Sequence, residues 1–464
     1  MKKIGIIGGG ISGLSAAFHL EKARAGGSTL EYTLIEAAPR LGGSMFSERV
    51  DGCLIEGGPD SFLTEKPWAS QLCKELGIDG SLIGSNDHLR KTYIVVKNRL
   101  IAMPDGLMFM VPTKIVPTAL SPLFSWGTKI RMAGELLHPP RRMDHDETVA
   151  EMVERHFGPE VVDRLADPLL SGVYGGDSSQ LSARAVLPRF VDMEEKYGSL
   201  SRAMLAAHNK MKAMMKGRKP SPLFTSLADG MQQMVSAIEG RIRMDWVQTG
   251  TQVQSVVRNE SVWQVMTSRG TQTFDGLIFA SGARVTGKLL RSVDVQLADD
   301  LGGIPYSSSV TVTMGYTMAD LRDLPPGFGY LVPRSEGRRM LACTFVHNKF
   351  PHRAPEDRGL LRCFLGGAKD EAILDESDET ITGIVLREVR EILGLAAQPR
   401  FVKIYRWRRA MAQYTAGHLT RVARIEEKVN SIPTLAIAGN AFRGIGVPDC
   451  IRTGQDAAQK LSCL

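Results

Sequence analysis

The run Gly8-Gly9-Gly10-Ile11-Ser12-Gly13 constrains this chain more than anything else in it. Lys3 to Ile7 reads as a short buried strand before it. Leu14 to Arg24 follows with Leu14, Ala17, Phe18 and Leu20 along one helix face, and Gly26-Gly27 closes the helix. Glu31 to Glu36 is a second strand. Gly8, Gly10 and Gly13 therefore form GxGxxG between strand and helix, answered by an acidic residue, Glu36. Each glycine has its own reason. Gly8 permits the tight turn, Gly10 admits a pyrophosphate against the backbone, and Gly13 lets helix and strand pack closely. Ile11 and Ser12 open the helix, whose free N–H groups face the phosphates. Glu36 can accept hydrogen bonds from a ribose diol.

The glycine turns downstream of Glu36 point to FAD rather than NAD. Arg40-Leu41-Gly42-Gly43 offers a second close backbone approach, and Glu56-Gly57-Gly58-Pro59 a third, about twenty residues after Glu36. A ligand longer than ADP explains so many glycine turns. Ala438-Gly439-Asn440 to Gly446-Val447-Pro448-Asp449 is a late glycine turn before a helix expected from about Ile451, suited to a ribityl chain or a flavin carbonyl. No second GxGxxG unit serves a nicotinamide, so electrons are expected to come from a substrate and pass to oxygen or another acceptor. The flavin carries such chemistry, so no side-chain triad is required. No catalytic side chain is assigned.

Between these ends, Met103 to Pro140 is rich in Met, Phe and Pro, and Thr148 to Met215 has helical spacing. Lys216 to Pro222 reads as an exposed linker. Strand-like runs appear at 252–257, 262–267, 277–280, 310–316, 340–346 and 361–365, a helix at 380–393, and a strand into a glycine turn at 435–439. The fold class is α/β: a Rossmann-type FAD-binding domain, a mixed-sheet substrate domain and a helical insertion. We assign 1–62, 220–290 and 432–464 to the FAD domain, 63–102 and 291–431 to the substrate domain, and 103–219 to the helical part.

The balance of 57 Lys+Arg against 50 Asp+Glu, net +7, favours anionic partners. No aromatic-basic recognition motif supports nucleic acid. The six cysteines show neither CxxC nor zinc-ligand spacing, so reduced thiols in the cytoplasm and no metal are expected. Cys450 is expected to be a buried thiol, which leaves the flavin non-covalent. No secretory leader is expected, because a strand begins at Ile4, and no apolar stretch is long enough to predict a membrane span.

Gly8–Gly13, Glu36, Arg40–Gly43, Gly58-Pro59-Asp60-Ser61-Phe62 and Gly446-Val447-Pro448-Asp449 together resemble the oxygen-dependent porphyrinogen oxidases, which comprise protoporphyrinogen oxidase and coproporphyrinogen III oxidase. Pro168–Tyr174, Gly327–Pro333 and Gln413-Tyr414 extend the likeness nearly along the whole chain. The resemblance implies FAD-dependent oxidation of a porphyrinogen to a porphyrin in haem biosynthesis. Six hydrogens would leave in three steps, each delivering a hydride to the flavin and then reducing oxygen to peroxide. It implies FAD contacts from Ala37, Ser44, Pro59, Asp60, Ser61, Val253, Val447, Pro448 and Asp449. It places Phe328 and Leu331 along the slot with Thr344 and Phe364 opposite, Lys66 near a propionate, and the Gly175 carbonyl beside a pyrrole N–H. Animal and plant members carry an arginine on the strand around Thr92, where this chain has threonine. That leans towards the coproporphyrinogen type. In some members the helical domain sits on a membrane, so Met103–Pro140 is a candidate peripheral surface. Two readings compete: another amine-oxidase or desaturase-type flavoenzyme, and a flavin-less escort protein of the same fold. The choice between four-propionate and two-propionate substrates stays open, as does homodimerisation.

Overall fold

The computed structural model describes residues 1–108, 110–214, 221–260 and 262–463. The linker expected at Lys216–Pro222 lies outside the described residues up to position 220.

Five parallel strands form the first sheet, in the order Val247–Gln248, Leu30–Ile35, Lys2–Ile7, Gly276–Phe279, Leu435–Ile437. Its strands are apolar on both faces because both faces are covered. Ile4, Ile6, Leu34 and Ile278 point into one core with the helices Ile11–Ala25, Gln232–Glu239 and Val447–Ser462. Ile7, Ile35, Leu277 and Phe279 point into another, against Trp263, Val265 and Phe274 of a three-stranded antiparallel meander. The first and last helices cross very closely. A Cβ at Gly454 would lie 2.2 Å from the Ser12 carbonyl, and Ser15 Oγ donates to the Ile451 carbonyl at 2.8 Å.

The last helix begins at Val447, four residues before the sequence reading starts it. Pro448 argues locally against helix, yet proline is well tolerated in a first turn, where its missing N–H has no partner to lose. The helix Pro67–Leu76 also differs from expectation. It lies within the 63–102 segment assigned to the substrate domain, but its Ala69, Leu72, Cys73 and Leu76 face packs into the core around Ile11–Ala25. Amphipathic spacing reveals that a face is buried, not which core receives it.

The second sheet has seven strands: Phe401–Ala412, Tyr306–Thr317, Arg358–Gly366, Met340–Phe345, Gly329–Leu331, Thr92–Val96 and Arg99–Ala102. All pairs are antiparallel except Gly329–Leu331 with Thr92–Val96. One face is apolar. Val310, Val312, Met314, Leu361, Cys363 and Leu365 pack beneath Ile381, Val385 and Val389 of the helix Asp378–Leu393. The alternation of side chains along a strand then sends Thr311, Thr313, Arg362 and Phe364 to the other face, towards the first domain.

Helices between Ile115 and Met214 make up the third part. A buried carboxylate fixes it. Glu135 accepts from Ser199 Oγ (2.8 Å) and from the N–H groups of Leu200 (2.6 Å) and Ser201 (3.2 Å), capping the helix Leu200–Met214. His156 lies 3.0 Å from Glu135 and 3.2 Å from Glu194. Burial opposes its charge, but the two carboxylates outweigh burial and raise its pKa. With His138 these groups are of metal-ligand type. The Glu135 oxygens, however, are already occupied by the cap and by His156. Among the described residues no helix is long and apolar enough to cross a membrane.

Candidate active site

The glycine fingerprint folds as its chemistry requires. Gly8 has φ +112°, and a Cβ there would lie 2.8 Å from the Ala280 backbone. A Cβ at Gly13 would lie 1.8 Å from the Gly8 carbonyl oxygen. At Gly10 a Cβ would meet nothing within 4 Å. The fingerprint thus has two structural glycines and one that borders empty space at the N-terminus of the helix Ile11–Ala25. Such a gap before unpaired N–H groups fits a pyrophosphate. Glu36 accepts from the N–H groups of Gly9 (2.5 Å) and Ala38 (2.7 Å), which fixes its carboxylate beside the turn. The segment leading to Val253 lies against the same loop, with the Gly250 N–H donating to the Ala38 carbonyl and the Thr251 N–H to that of Glu36.

The second glycine pair docks on the first. The Gly42 N–H donates to the Gly9 carbonyl at 2.8 Å, and a Cβ at Gly43 would lie 3.2 Å from Gly10 Cα. Arg40, expected to touch the cofactor, instead directs its guanidinium to the carbonyls of Leu41, Gly43 and Met45. It holds the loop that holds the cradle. The third turn interlocks with the second, since a Cβ at Gly58 would lie 1.8 Å from the Ser44 carbonyl oxygen. Next to Pro59, Asp60 receives Lys349 Nζ at 3.0 Å and Ser61 Oγ at 2.7 Å. Burial alone would raise the Asp60 pKa. The Lys349 and Arg362 charges and these hydrogen bonds outweigh it and hold the carboxyl far below its usual range.

The open face of the seven-stranded sheet meets this third turn. The Gly57 carbonyl accepts from Trp407 Nε1 (2.7 Å) and Thr311 Oγ1 (3.1 Å), and Arg362 donates to the Gly58 carbonyl. Of the residues expected to line the slot, Leu331, Thr344 and Phe364 share that face. Cross-strand pairing sets Leu331, Ala342, Phe364 and Thr311 in one row and Gly329, Thr344, Arg362 and Thr313 in the next. Leu331, Thr344 and Phe364 are partly exposed, as a lining is. Phe328 is buried yet joins none of the four apolar clusters.

Lys66 stands just before the helix Pro67–Leu76, and its ammonium lies 2.6 Å from Asp449. Two residues assigned to different ligands are thus brought together. Asp449 also accepts from the Gly446 N–H at 3.3 Å, so the pair pins the start of the last helix beside Val447 and Pro448. Burial pushes the neighbouring Cys450 thiol up to about 12. Gly175 takes the left-handed conformation after the helix Asp167–Tyr174, and its carbonyl accepts from the Ala368 N–H at 2.8 Å. Only its second lone pair remains for a ligand. Gln413 Nε2 donates to the Tyr174 carbonyl (2.8 Å) and Ser307 Oγ (2.9 Å). The Tyr414 hydroxyl donates to the Asn440 carbonyl and accepts from the Gly444 N–H, both at 2.8 Å.

Sequence reasoning missed Arg362, Thr311 and Trp407. A signal existed for the first. Leu360-Leu361-Arg362-Cys363-Phe364-Leu365 carries one charge inside an otherwise apolar strand. Buried charges are rare without a partner or a task.

Known proteins are similar to this chain in sequence and fold. Residues 11–462 match the family described as flavin containing amine oxidoreductase. The coproporphyrinogen III oxidase of Bacillus subtilis (strain 168) is 34% identical over 459 residues, 98% of this chain and 97% of the relative. The chloroplastic protoporphyrinogen oxidase of Nicotiana tabacum is 28% identical, covering 98% and 85%. A provisionally named protoporphyrinogen oxidase from Exiguobacterium sp. 255-15 superposes with TM-score 0.87 at 30% identity, covering 100% of this chain and 99% of that one. The cyclohexylamine oxidase of Brevibacterium oxydans IH-35A, at 16% identity and TM-score 0.70, shares the fold.

Proposed function

Because this chain belongs to the flavin-containing amine oxidoreductases, and among them to the porphyrinogen oxidases, its cofactor is a flavin, and we propose that it binds FAD non-covalently and oxidises coproporphyrinogen III to coproporphyrin III. Protoporphyrinogen IX is the second candidate substrate, and molecular oxygen the acceptor. The observation that carries this reading is the lining row Leu331–Ala342–Phe364–Thr311 set against the Gly57–Gly58 turn. It puts an apolar and aromatic wall beside the dinucleotide cradle, as a flat, largely apolar ring requires.

A bound flavin supplies two-electron acceptance, once for each of three rounds. The chain's residues hold and exclude. Glu36 takes the ribose, and the Gly10 gap takes the pyrophosphate. Thr311, Trp407 and Arg362 fix the turn at Gly57 and Gly58. Leu331 and Phe364 keep water from the ring. The non-covalent reading is supported by Cys450, whose buried thiol holds its proton at neutral pH and so is a poor nucleophile.

The test is aerobic turnover of the yellow protein with both porphyrinogens side by side, read by porphyrin fluorescence. Coproporphyrinogen III should be turned over roughly tenfold faster, a difference of about 1.4 kcal/mol in activation free energy. Porphyrin formed from neither would refute the reading and return the chain to the broader amine-oxidase group.

The same reading includes a peripheral membrane face. Val116, Leu120, Trp126, Ile130 and Leu137 are 66–84% exposed, all within the Met103–Pro140 stretch. Lys129 stands 4.5 Å over the Trp126 ring. Exposed apolar side chains beside cations suit an anionic bilayer surface. The protein should sediment with phosphatidylglycerol vesicles, and Trp126→Ser with Leu137→Ser should release it. Wild-type protein left wholly in the supernatant would remove this face from the proposal.

A further inference from the structure

Along Arg358–Gly366 the side chains facing the slot are Arg362 and then Phe364, and the next position on that face is Gly366. Two residues of strand advance roughly 7 Å. There the sheet face opens into a cavity of about 420 Å³. Its walls are Gly175 and Gly176, the 332–334 and 337–341 segments, and 366–370. The cavity therefore lies one pleat beyond Phe364 on the same strand, and begins at Val332 next to Leu331. Glycine keeps it open, since a Cβ at Gly367 would lie 3.1 Å from the Gly175 carbonyl oxygen.

The wall changes character at this end. Arg334, Arg338, Arg339 and Lys369 line it, against Asp167 and Asp370. Three of the cations are ion-paired, Arg338 among them with Glu391. Arg339 meets both oxygens of Asp370 at 2.9 and 2.8 Å, and Lys369 meets Asp177 at 2.7 Å and Asp167 at 3.3 Å. Arg334 has its full donor capacity left, and Arg338 part of it. Arg334 is exposed and makes no ion pair among the described residues. Arg338 gives one amino group to Glu391 and the other to Asn98 Oδ1, and its Nε has no partner although the side chain is only 11% exposed.

We infer that this cavity is the carboxylate end of the slot, with Arg334 and Arg338 receiving propionates of the macrocycle. The inference rests on the porphyrinogen reading above. Apolar walls suit the ring, but a propionate entering them unpaired would lose its hydration without compensation. Guanidinium groups supply charged, forked donors where the apolar lining stops. A ring with a propionate on each pyrrole carries charge on every side. A ring with two vinyls carries its charge along one edge only, so the four-carboxylate ring meets this rim in more orientations than the two-carboxylate ring.

The test is equilibrium binding of coproporphyrin III and protoporphyrin IX to the FAD-loaded protein, followed by porphyrin fluorescence at several salt concentrations. Arg334→Ala should weaken coproporphyrin III by about fivefold to twentyfold and flatten its salt dependence, as loss of one exposed charge-assisted contact predicts. Protoporphyrin IX should lose less, Arg334→Lys should restore most of the affinity, and flavin content should stay at the wild-type level. Arg338→Gln should act in the same direction. If the wild type binds coproporphyrin III and both variants bind it equally well with the same salt slope, the rim assignment falls alone. Equal losses for both porphyrins would also overturn it. If the wild type binds neither porphyrin, the porphyrinogen reading fails and takes the rim with it.

Discussion

Gly10→Val should give a folded, colourless protein. The expectation rests on the different surroundings of the three glycines in one turn. At Gly10 a Cβ meets no atom within 4 Å, and φ is −70°, which any L-residue adopts. The fold therefore has no objection to a side chain there. The objection comes from the ligand, because the valine methyls would stand in front of the helix N–H groups where the pyrophosphate belongs. Gly13→Ala should behave differently. Its Cβ would lie 1.8 Å from the Gly8 carbonyl oxygen, so the turn itself fails and little folded protein should be recovered. Flavin absorbance and far-UV circular dichroism separate the two outcomes. Wild-type flavin stoichiometry in Gly10→Val would show that the pyrophosphate lies elsewhere.

The largest stability effect is expected at Arg353→Met. The Arg353 side chain is 1% exposed and Glu56 beside it 4%. The guanidinium donates to Glu56, to Ser226 Oγ at 2.6 Å and to the Asp60 carbonyl at 3.3 Å. It thus ties a segment of the substrate region to three parts of the cradle. Breaking a buried pair on one side strands the other charge, which typically costs about 3–5 kcal/mol. A domain has only about 5–15 kcal/mol of stability. The pH dependence has a definite sign. Burial already raises the Glu56 pKa even with Arg353 in place, and removing the arginine raises it further. A carboxyl raised in the folded state is penalised when ionised. The variant's deficit should therefore be at its full, constant size above the folded pKa of Glu56 and shrink as pH falls through it. Denaturant midpoints at mildly acidic and neutral pH measure this, and Glu56→Gln placed on Arg353→Met should recover much of the loss. A variant as stable as wild type at neutral pH would contradict the account.

These two sites show what was legible in the residues alone. The Gly10 gap was, because strand, turn and helix are local and the order of glycines reports their geometry. Three of the seven strands of the second sheet, those around 310–316, 340–346 and 361–365, were legible for the same reason, while Phe401–Ala412, Gly329–Leu331, Thr92–Val96 and Arg99–Ala102 were not. Arg353 was not. Nothing near it in the chain signals Glu56, Ser226 or Asp60, which come from positions far away in sequence. Arg40, Lys66 and Gly175 were singled out as ligand contacts, and their partners within the protein were not readable. Arg40 serves its own loop, Lys66 serves Asp449, and the Gly175 carbonyl serves Ala368 first. A motif fixes where a residue stands on its own element. Which neighbour claims its donors depends on the packing of elements onto one another. The cationic rim around Arg334 escaped notice because its four cations come from two short connections, neither of them basic enough alone to stand out.

The crossing of Ile11–Ala25 with Val447–Ser462 has a bearing on how the protein is made. The central strand of the first sheet is Lys2–Ile7, and an outer one, Leu435–Ile437, is more than four hundred residues downstream. A nascent chain emerging from the ribosome carries its nucleotide fingerprint long before it can use it. Gly454 has still to slide in against Ser12, and Asp449 to reach Lys66. Contacts of this separation form late. Translation that stalls, or proteolysis that trims the final helix, should leave a chain with every glycine of the motif and no grip on the cofactor. Yellow colour in this protein then marks molecules whose synthesis ran at least through residue 462 and in which these two helices have found each other.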